Sequence, residues 1–324
     1  MRCEVALLLG WVPACAPSSA PPPAVQPSPA PAASSTLVLP AAGAPSVSVG
    51  AGASPAASAP SAADPNSGVP CGALGCLRFR SPEAAFEYVL ASNPKVLAVG
   101  EAHAQQGTEG IASTTSRFSE QFLPHLVGRA RALVVELMLA NGKCGQVEQR
   151  VAEQQRPVTK PQAESNQNEF LQLAERAKAL HIVPYPLRPT CEEYKAVVGA
   201  GAGDIDRMLV TVRDASLRTL GNLLDAAPTA GEPDLLVAYG GALHNDLAPR
   251  PGREAWSFGP ALREKTRGKY VELDLIVPEY VKDTESWQAF PWYETYRAAQ
   301  HGQETLVYTP SSASFVLIFP RTKP

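Results

Sequence analysis

Residues 95–103 read KVLAVGEAH, an apolar run that ends in glycine and then sets Glu101 and His103 on either side of one alanine. A second run, residues 234–244, reads DLLVAYGGALH and closes the same way, with Gly241 three positions before His244. Near-continuous apolar character of this kind is what a parallel strand covered on both faces requires. Three more runs share it: ALVVEL at 132–137, HIVPYPL at 181–187 and KYVELDLIV at 269–277. Between them lie helical patterns. Ser81 and Pro82 supply an N-cap and a proline at the first helical position, and further patterns fall at 117–131, 147–155, 168–180, 192–198 and 204–226. The longest places Ile205, Leu209, Val212, Leu217, Leu220 and Leu224 roughly on one face. The alternation predicts an α/β fold, a doubly wound and mostly parallel sheet with helices on both faces. Two final runs, 305–308 and 314–319, are joined by a short connection and predict an antiparallel C-terminal hairpin.

The N-terminal part has a different composition. Residues 1–15 combine Arg2, a short apolar stretch and the tetrapeptide Val12-Pro13-Ala14-Cys15. That pattern reads as a secretory signal. It resembles a bacterial lipobox, which makes Cys15 the expected lipidation site and gives the chain a membrane anchor. Residues 16–70 are rich in Ala, Pro and Ser, with Asp64 as the one charge and no aromatic residue. Such a segment cannot bury enough apolar surface to offset its ordering entropy and reads as a disordered tether. Residues 71–324 then form a single domain, expected in the bacterial cell envelope, at the outer membrane or in the periplasm. The formal net charge is −3 with no basic run, which argues against a nucleic-acid partner.

Setting aside Cys3 and Cys15, four of the six cysteines remain. An even number in an exported chain predicts two disulfides. Three pairings exist. The stretch PCGALGC can close on itself as Cys71–Cys76, which leaves Cys144 with Cys191. The stretch GAGAGD, 199–204, follows a helix pattern rather than a strand, so it reads as a helix stop with Asp204 capping the next helix, not as a phosphate loop.

In open α/β sheets ligands bind beyond the carboxyl ends of the strands, so the polar residues there carry the chemistry. Glu101 and His103 end one run, Glu136 sits inside ALVVELML, and His244 ends another, followed by Asn245 and Asp246. Two carboxylates and two imidazoles can hold a divalent metal with a position open for water. They can also exchange protons with a bound water directly. The spacing leaves both open. Arg213, in VRDASLRTL on the longest helix, would seek Glu101, Glu136 or an anionic ligand if it lies near the packed face, and Asp214 if it faces solvent. His125, His181 and His301 read as structural or exposed. No Gly-x-Ser-x-Gly elbow, His-Glu-x-x-His helix or P-loop is present.

The anchors GEAH, VVEL, VRDASL and GALH together resemble the haem-binding-uptake/Tiki superfamily, which includes ChaN-like lipoproteins, TraB and Tiki proteins and erythromycin esterases. The resemblance spans about residues 95–277. It implies that Glu101, His103, Glu136, Arg213 and His244 line one pocket. The tight Gly-Glu-x-His spacing and the single histidine after Gly241 set the chain nearer the ChaN type than the esterases. The leading expectation is therefore a lipoprotein whose pocket binds haem, through His103 and His244, or another metal-containing small ligand. A divalent metal would be held by Glu101, His103, Glu136 and His244. Two alternatives stand beside it: a hydrolase of esters or peptides using metal-activated or Glu/His-activated water, and a non-catalytic envelope interaction protein.

Overall fold

The period-two alternation in the central runs sends successive side chains to opposite faces, and both faces are covered. In the computed structural model of the chain, residues 67–108, 110–138, 142–159, 162–163, 165–201, 205–298 and 302–322 are described. The signal segment with Cys15, all but the end of the tether, Asp204 and His301 lie outside these residues.

Among the described residues nine strands form one sheet: β1 (Val69–Pro70), β2 (Leu77–Phe79), β3 (Val96–Glu101), β4 (Ala130–Met138), β5 (Val183–Leu187), β6 (Leu235–Gly241), β7 (Tyr270–Ile276), β8 (Thr305–Ser311) and β9 (Ser314–Ile318). Their spatial order is β1-β2-β8-β9-β7-β3-β6-β4-β5. The run from β9 to β5 is parallel throughout, while β8 pairs antiparallel with β9 and carries β2 and β1 outward on its far edge. The fold is thus α/β, with the expected mostly parallel sheet and C-terminal hairpin. All seven strands expected from the sequence are present. The two short N-terminal strands are additional, and β1 shows that pairing begins inside the stretch assigned to the tether.

Among the described residues nine α-helices accompany the sheet: α1 (Pro82–Leu90), α2 (Thr114–Arg117), α3 (Gln146–Thr159), α4 (Asn166–Ala179), α5 (Cys191–Ala200), α6 (Ile205–Asp225), α7 (Gly259–Lys265), α8 (Glu285–Gln288) and α9 (Tyr293–Ala298). Leu97, Val99, Leu133, Val135 and Val237 pack with Phe86 of α1, Phe118, Phe122 and Leu173 of α4 on one face. Val96, Ala98, Ala132, Val134 and Leu236 pack with Val212, Ala215 and Leu220 of α6 and Leu262 of α7 on the other. The helix expected over 117–131 is a correction. Only one turn of α-helix forms, followed by a π-type turn and a 3-10 turn carrying Pro124, and β4 already begins at Ala130. A proline inside a helix pattern removes a backbone donor and ends it.

This connectivity creates the site. After β3 the chain turns onto the face of α2; after β6, its neighbour in the sheet, it turns onto the face of α7. Adjacent parallel strands whose exits diverge leave a crevice at their carboxyl ends. Glu101 and Gly241, in register with each other, stand at that point.

Both disulfides form as the cysteine pattern predicts, Cys71–Cys76 and Cys144–Cys191. The first closes a hairpin turn. The second ties the loop before α3 to the first residue of α5, whose Thr190 and Glu193 form a reciprocal capping box. With a separation of 47 residues, the Cys144–Cys191 link restricts the unfolded chain by about 4 kcal/mol, against about 2 kcal/mol for the short loop. Chemical denaturation of the two double serine variants should therefore show the larger loss for Cys144→Ser/Cys191→Ser. An equal or reversed order would contradict this.

Candidate active site

Glu101 is the last residue of β3 and is almost fully buried, at 2% exposure. A buried carboxylate must be hydrogen-bonded, and this one is on both oxygens. His103 Nδ1 lies 2.7 Å from Oε1. Thr115 Oγ1 donates to Oε2 at 2.8 Å and the Tyr239 hydroxyl donates to it at 2.5 Å. Burial first, then the charge and hydrogen bond of Glu101, hold the Tyr239 hydroxyl well above its usual range, so it stays a donor. Because a carboxylate can only accept, Nδ1 of His103 carries the ring proton and Nε2 is the bare nitrogen of the neutral imidazole. The ring is held edge-on by Phe170 of α4. Burial pulls the His103 pKa down, but the Glu101 hydrogen bond, the Glu101 charge and the more distant Glu136 charge outweigh it, and the value is raised.

Glu136 and His244 stand across Gly241 from this pair. The Gly241 N–H donates to Glu136 Oε2 at 2.6 Å. A methyl group placed on Gly241 would lie 3.4 Å from His103 Nε2 and 3.6 Å from Glu136 Oε2, so this glycine marks where the two side chains converge. His244 is 4% exposed. Its Nδ1 lies 2.8 Å from the Trp256 carbonyl, which again places the proton on Nδ1. Its Nε2 faces Glu136 Oε1 at 3.6 Å, beyond hydrogen-bonding distance.

A transverse row explains the glycines. Gly240 pairs with Gly100, and Gly100 with Asp274. A Cβ at Gly240 would collide with Glu136 Oε2; one at Gly100 would lie 2.5 Å from Asp274 Oδ1 and 2.7 Å from Asn245 Nδ2. The paired glycines therefore leave a trench in the sheet surface with Glu136 toward one side and Asn245 and Asp274 toward the other. Asn245 Nδ2 donates to the Ala98 carbonyl and to Asp274 Oδ1, both at 3.2 Å. Burial, helped by Asp246 and opposed by the Asn245 hydrogen bond, pushes Asp274 up to about 7. Burial likewise raises Glu272, with Asp274 and Asp246 adding to it.

Of the five residues expected to share one pocket, Glu101, His103, Glu136 and His244 come together. Arg213 does not reach either glutamate. Its Nε donates to the Ala255 carbonyl at 3.0 Å and its guanidinium pairs with Asp214 at 2.9 Å. Arg213 thus braces the loop whose next residue, Trp256, holds His244. As a metal-ligand set the four residues are unequal, since both oxygens of Glu101 are engaged, leaving His103 Nε2, Glu136 and His244 Nε2 as the available donors. Among the described residues no three His, Cys, Asp or Glu side chains are grouped closely enough to form a metal site. His125 is structural, bonded to Glu87 at 2.7 Å. Sequence reading missed Thr115, Tyr239 and Asp274, and named Asn245 without giving it a role. The alternation of β6 held the signal for Tyr239, which falls on the same face as Glu101 and one strand away.

No family model matches this chain, and no curated protein does. A solved structure, that of the type III effector HopBA1, is similar to it with a TM-score of 0.37 and 9% identity, covering 75% of this chain and 95% of that one.

His103 and Asp274, both raised, give pH signatures of the same sign in different windows: each makes stability fall as pH rises. For His103 the folded value exceeds the unfolded one near 6.5, so its stabilisation is complete below that pH and is lost as pH rises through the folded value. Wild type should lose stability relative to His103→Asn across that window, and a pH-independent difference would contradict it. For Asp274 the folded value is about 7 against 3.8 unfolded, so ionisation costs stability increasingly from about pH 4 and fully above 7. Asp274→Asn should gain on wild type over that range in urea titrations.

Proposed function

We propose that the domain is a hydrolase in which His103, oriented by Glu101, activates water for attack on an ester or amide carbonyl. One observation carries this reading: the buried Glu101 carboxylate fixes the His103 proton on Nδ1 and leaves Nε2 bare beside Gly241 and Glu136. Nε2 takes a proton from water as the hydroxide adds to the carbonyl carbon, and returns it to the departing oxygen or nitrogen. Thr115 and Tyr239 keep Glu101 from rotating away, as a third group does in nucleophile–base arrangements. The resemblance of the four sequence anchors to the haem-binding-uptake/Tiki superfamily agrees with a shared pocket. The two disulfides fit an exported protein in an oxidising compartment, which supports the cell-envelope placement.

A screen of chromogenic esters and short peptides with the purified chain tests this. His103→Ala should lower kcat/KM by roughly 10²- to 10⁴-fold, the usual contribution of a positioned base. The acid limb of the pH profile should lie above 6.5, because His103 must be deprotonated, and Glu101→Gln should move it to lower pH by removing the charge that raises it. Activity lost to a chelator and restored by a divalent ion would instead make His103, Glu136 and His244 metal ligands. Absence of turnover together with a haemin Soret shift that needs His103 would replace the hydrolytic reading with haem binding.

A further inference from the structure

Beside the His103–Glu101 pair, a narrow cleft is lined by Glu136, Gly240, His244 and Asn245, with Ser216 of α6 and Phe258 closing it. Its enclosed part has room for about one water-sized group. Three acceptors belong to residues that line it. Glu136 Oε1 and His244 Nε2 face each other at 3.6 Å, and with the His244 proton committed to the Trp256 carbonyl no hydrogen lies between them in the neutral ring. The third is Asn245 Oδ1, which is buried and has no hydrogen-bond partner among the described residues, although Asn245 is 2% exposed and both its Nδ2 hydrogens are used. A buried acceptor left unpaired forfeits the hydrogen bonds it would make with water. Among the described residues no lysine or arginine lines the cleft, and the Asp274 carboxyl group lies behind Asn245.

An alkylammonium head is water-sized, positively charged and carries three donors with no acceptor. We propose that this cleft is a subsite for the protonated primary amine of the ligand, with Glu136, His244 and Asn245 each taking one N–H. The apolar lining from Val99, Val134, Ala238 and Phe258 meets the carbon stem. This deepens the hydrolytic reading, on which it rests for its role in turnover: the substrates are amine-bearing esters or amides, anchored by the amine while His103 Nε2, on the far side of Gly241, addresses the carbonyl.

The test uses the full chain and three probes, n-propylammonium, tetramethylammonium and 1-propanol, with thermal unfolding and calorimetric titration as readouts. Selective binding of the folded state raises its unfolding midpoint, so propylammonium should do so in a saturable way and the other two should not. Glu136→Gln, which keeps an oxygen for the Gly241 N–H, should weaken propylammonium at least about tenfold. Equal effects of tetramethylammonium would show that charge alone is read, and equal effects of propanol that only the stem is read; either overturns the proposal. So does the lack of any response up to about 0.1 M, at which even a millimolar site would be filled. Because binding is read without turnover, saturable propylammonium binding in a chain that hydrolyses nothing would leave the subsite standing and remove the hydrolytic reading. Turnover without amine selectivity would do the reverse.

Discussion

Two glycines side by side in adjacent parallel strands set the conditions for everything at the carboxyl edge of this sheet. Gly100 and Gly240 are register partners, and their missing side chains are replaced by groups that arrive from elsewhere: Glu136 from β4 over Gly240, and Asn245 and Asp274 over Gly100. Without that clearance the Glu136 carboxylate could not receive the Gly241 N–H, and the loop carrying His244 could not settle onto the sheet. One residue later in each strand, Glu101 and Gly241 are paired, and here the opposite face is used: Glu101 turns toward Thr115 and Tyr239. The site therefore draws on both faces of the sheet. It is possible only where neighbouring strands send their chains to different sides.

That arrangement divides labour among the polar groups. Glu101 holds His103 through Oε1 and is itself held by Thr115 and Tyr239 through Oε2, so it acts through the imidazole. Glu136 and His244 are fixed through one atom each, by a backbone N–H and a backbone carbonyl, and each keeps its other atom facing the cleft. In a low-dielectric crevice such preset dipoles and charges act more strongly than they would in water.

Much of this was legible in the sequence, and the limits have physical causes. Apolar runs buried on both faces announce themselves, so the seven main strands and the hairpin were readable. So were the four residues that converge, because strand ends are where polar residues cannot be explained by packing. The short β1 and β2 carry too few residues for a pattern. The false helix at 117–131 came from an apolar periodicity that Pro124 interrupts and that packing satisfies with irregular turns. Tyr239 and Thr115 were missed, and Asn245 was left without a role, because a tyrosine in a strand, a threonine in a turn and an asparagine after a histidine each have ordinary local explanations. Their importance exists only in three dimensions, through Glu101 and the glycine row. The resemblance places Arg213 in the pocket, whereas the residues alone leave that open beside a pairing with Asp214, and the pairing is what forms. Arg213 lies one residue removed from the pocket role, bonded to the carbonyl preceding the one that orients His244.

That contact makes α6 more than a cover for the sheet. The helix spans Ile205–Asp225 and packs against β4, β5 and β6 through its apolar face, while Arg213 fixes the loop over His244 from its flank. The imidazole is thereby referenced to the helix axis as well as to the end of its own strand, where the His244 N–H donates to the Gly241 carbonyl. A change of packing beneath the helix would then be felt as a rotation of one ring at the crevice, so substitutions far from any ligand can retune the site without touching a residue that lines it.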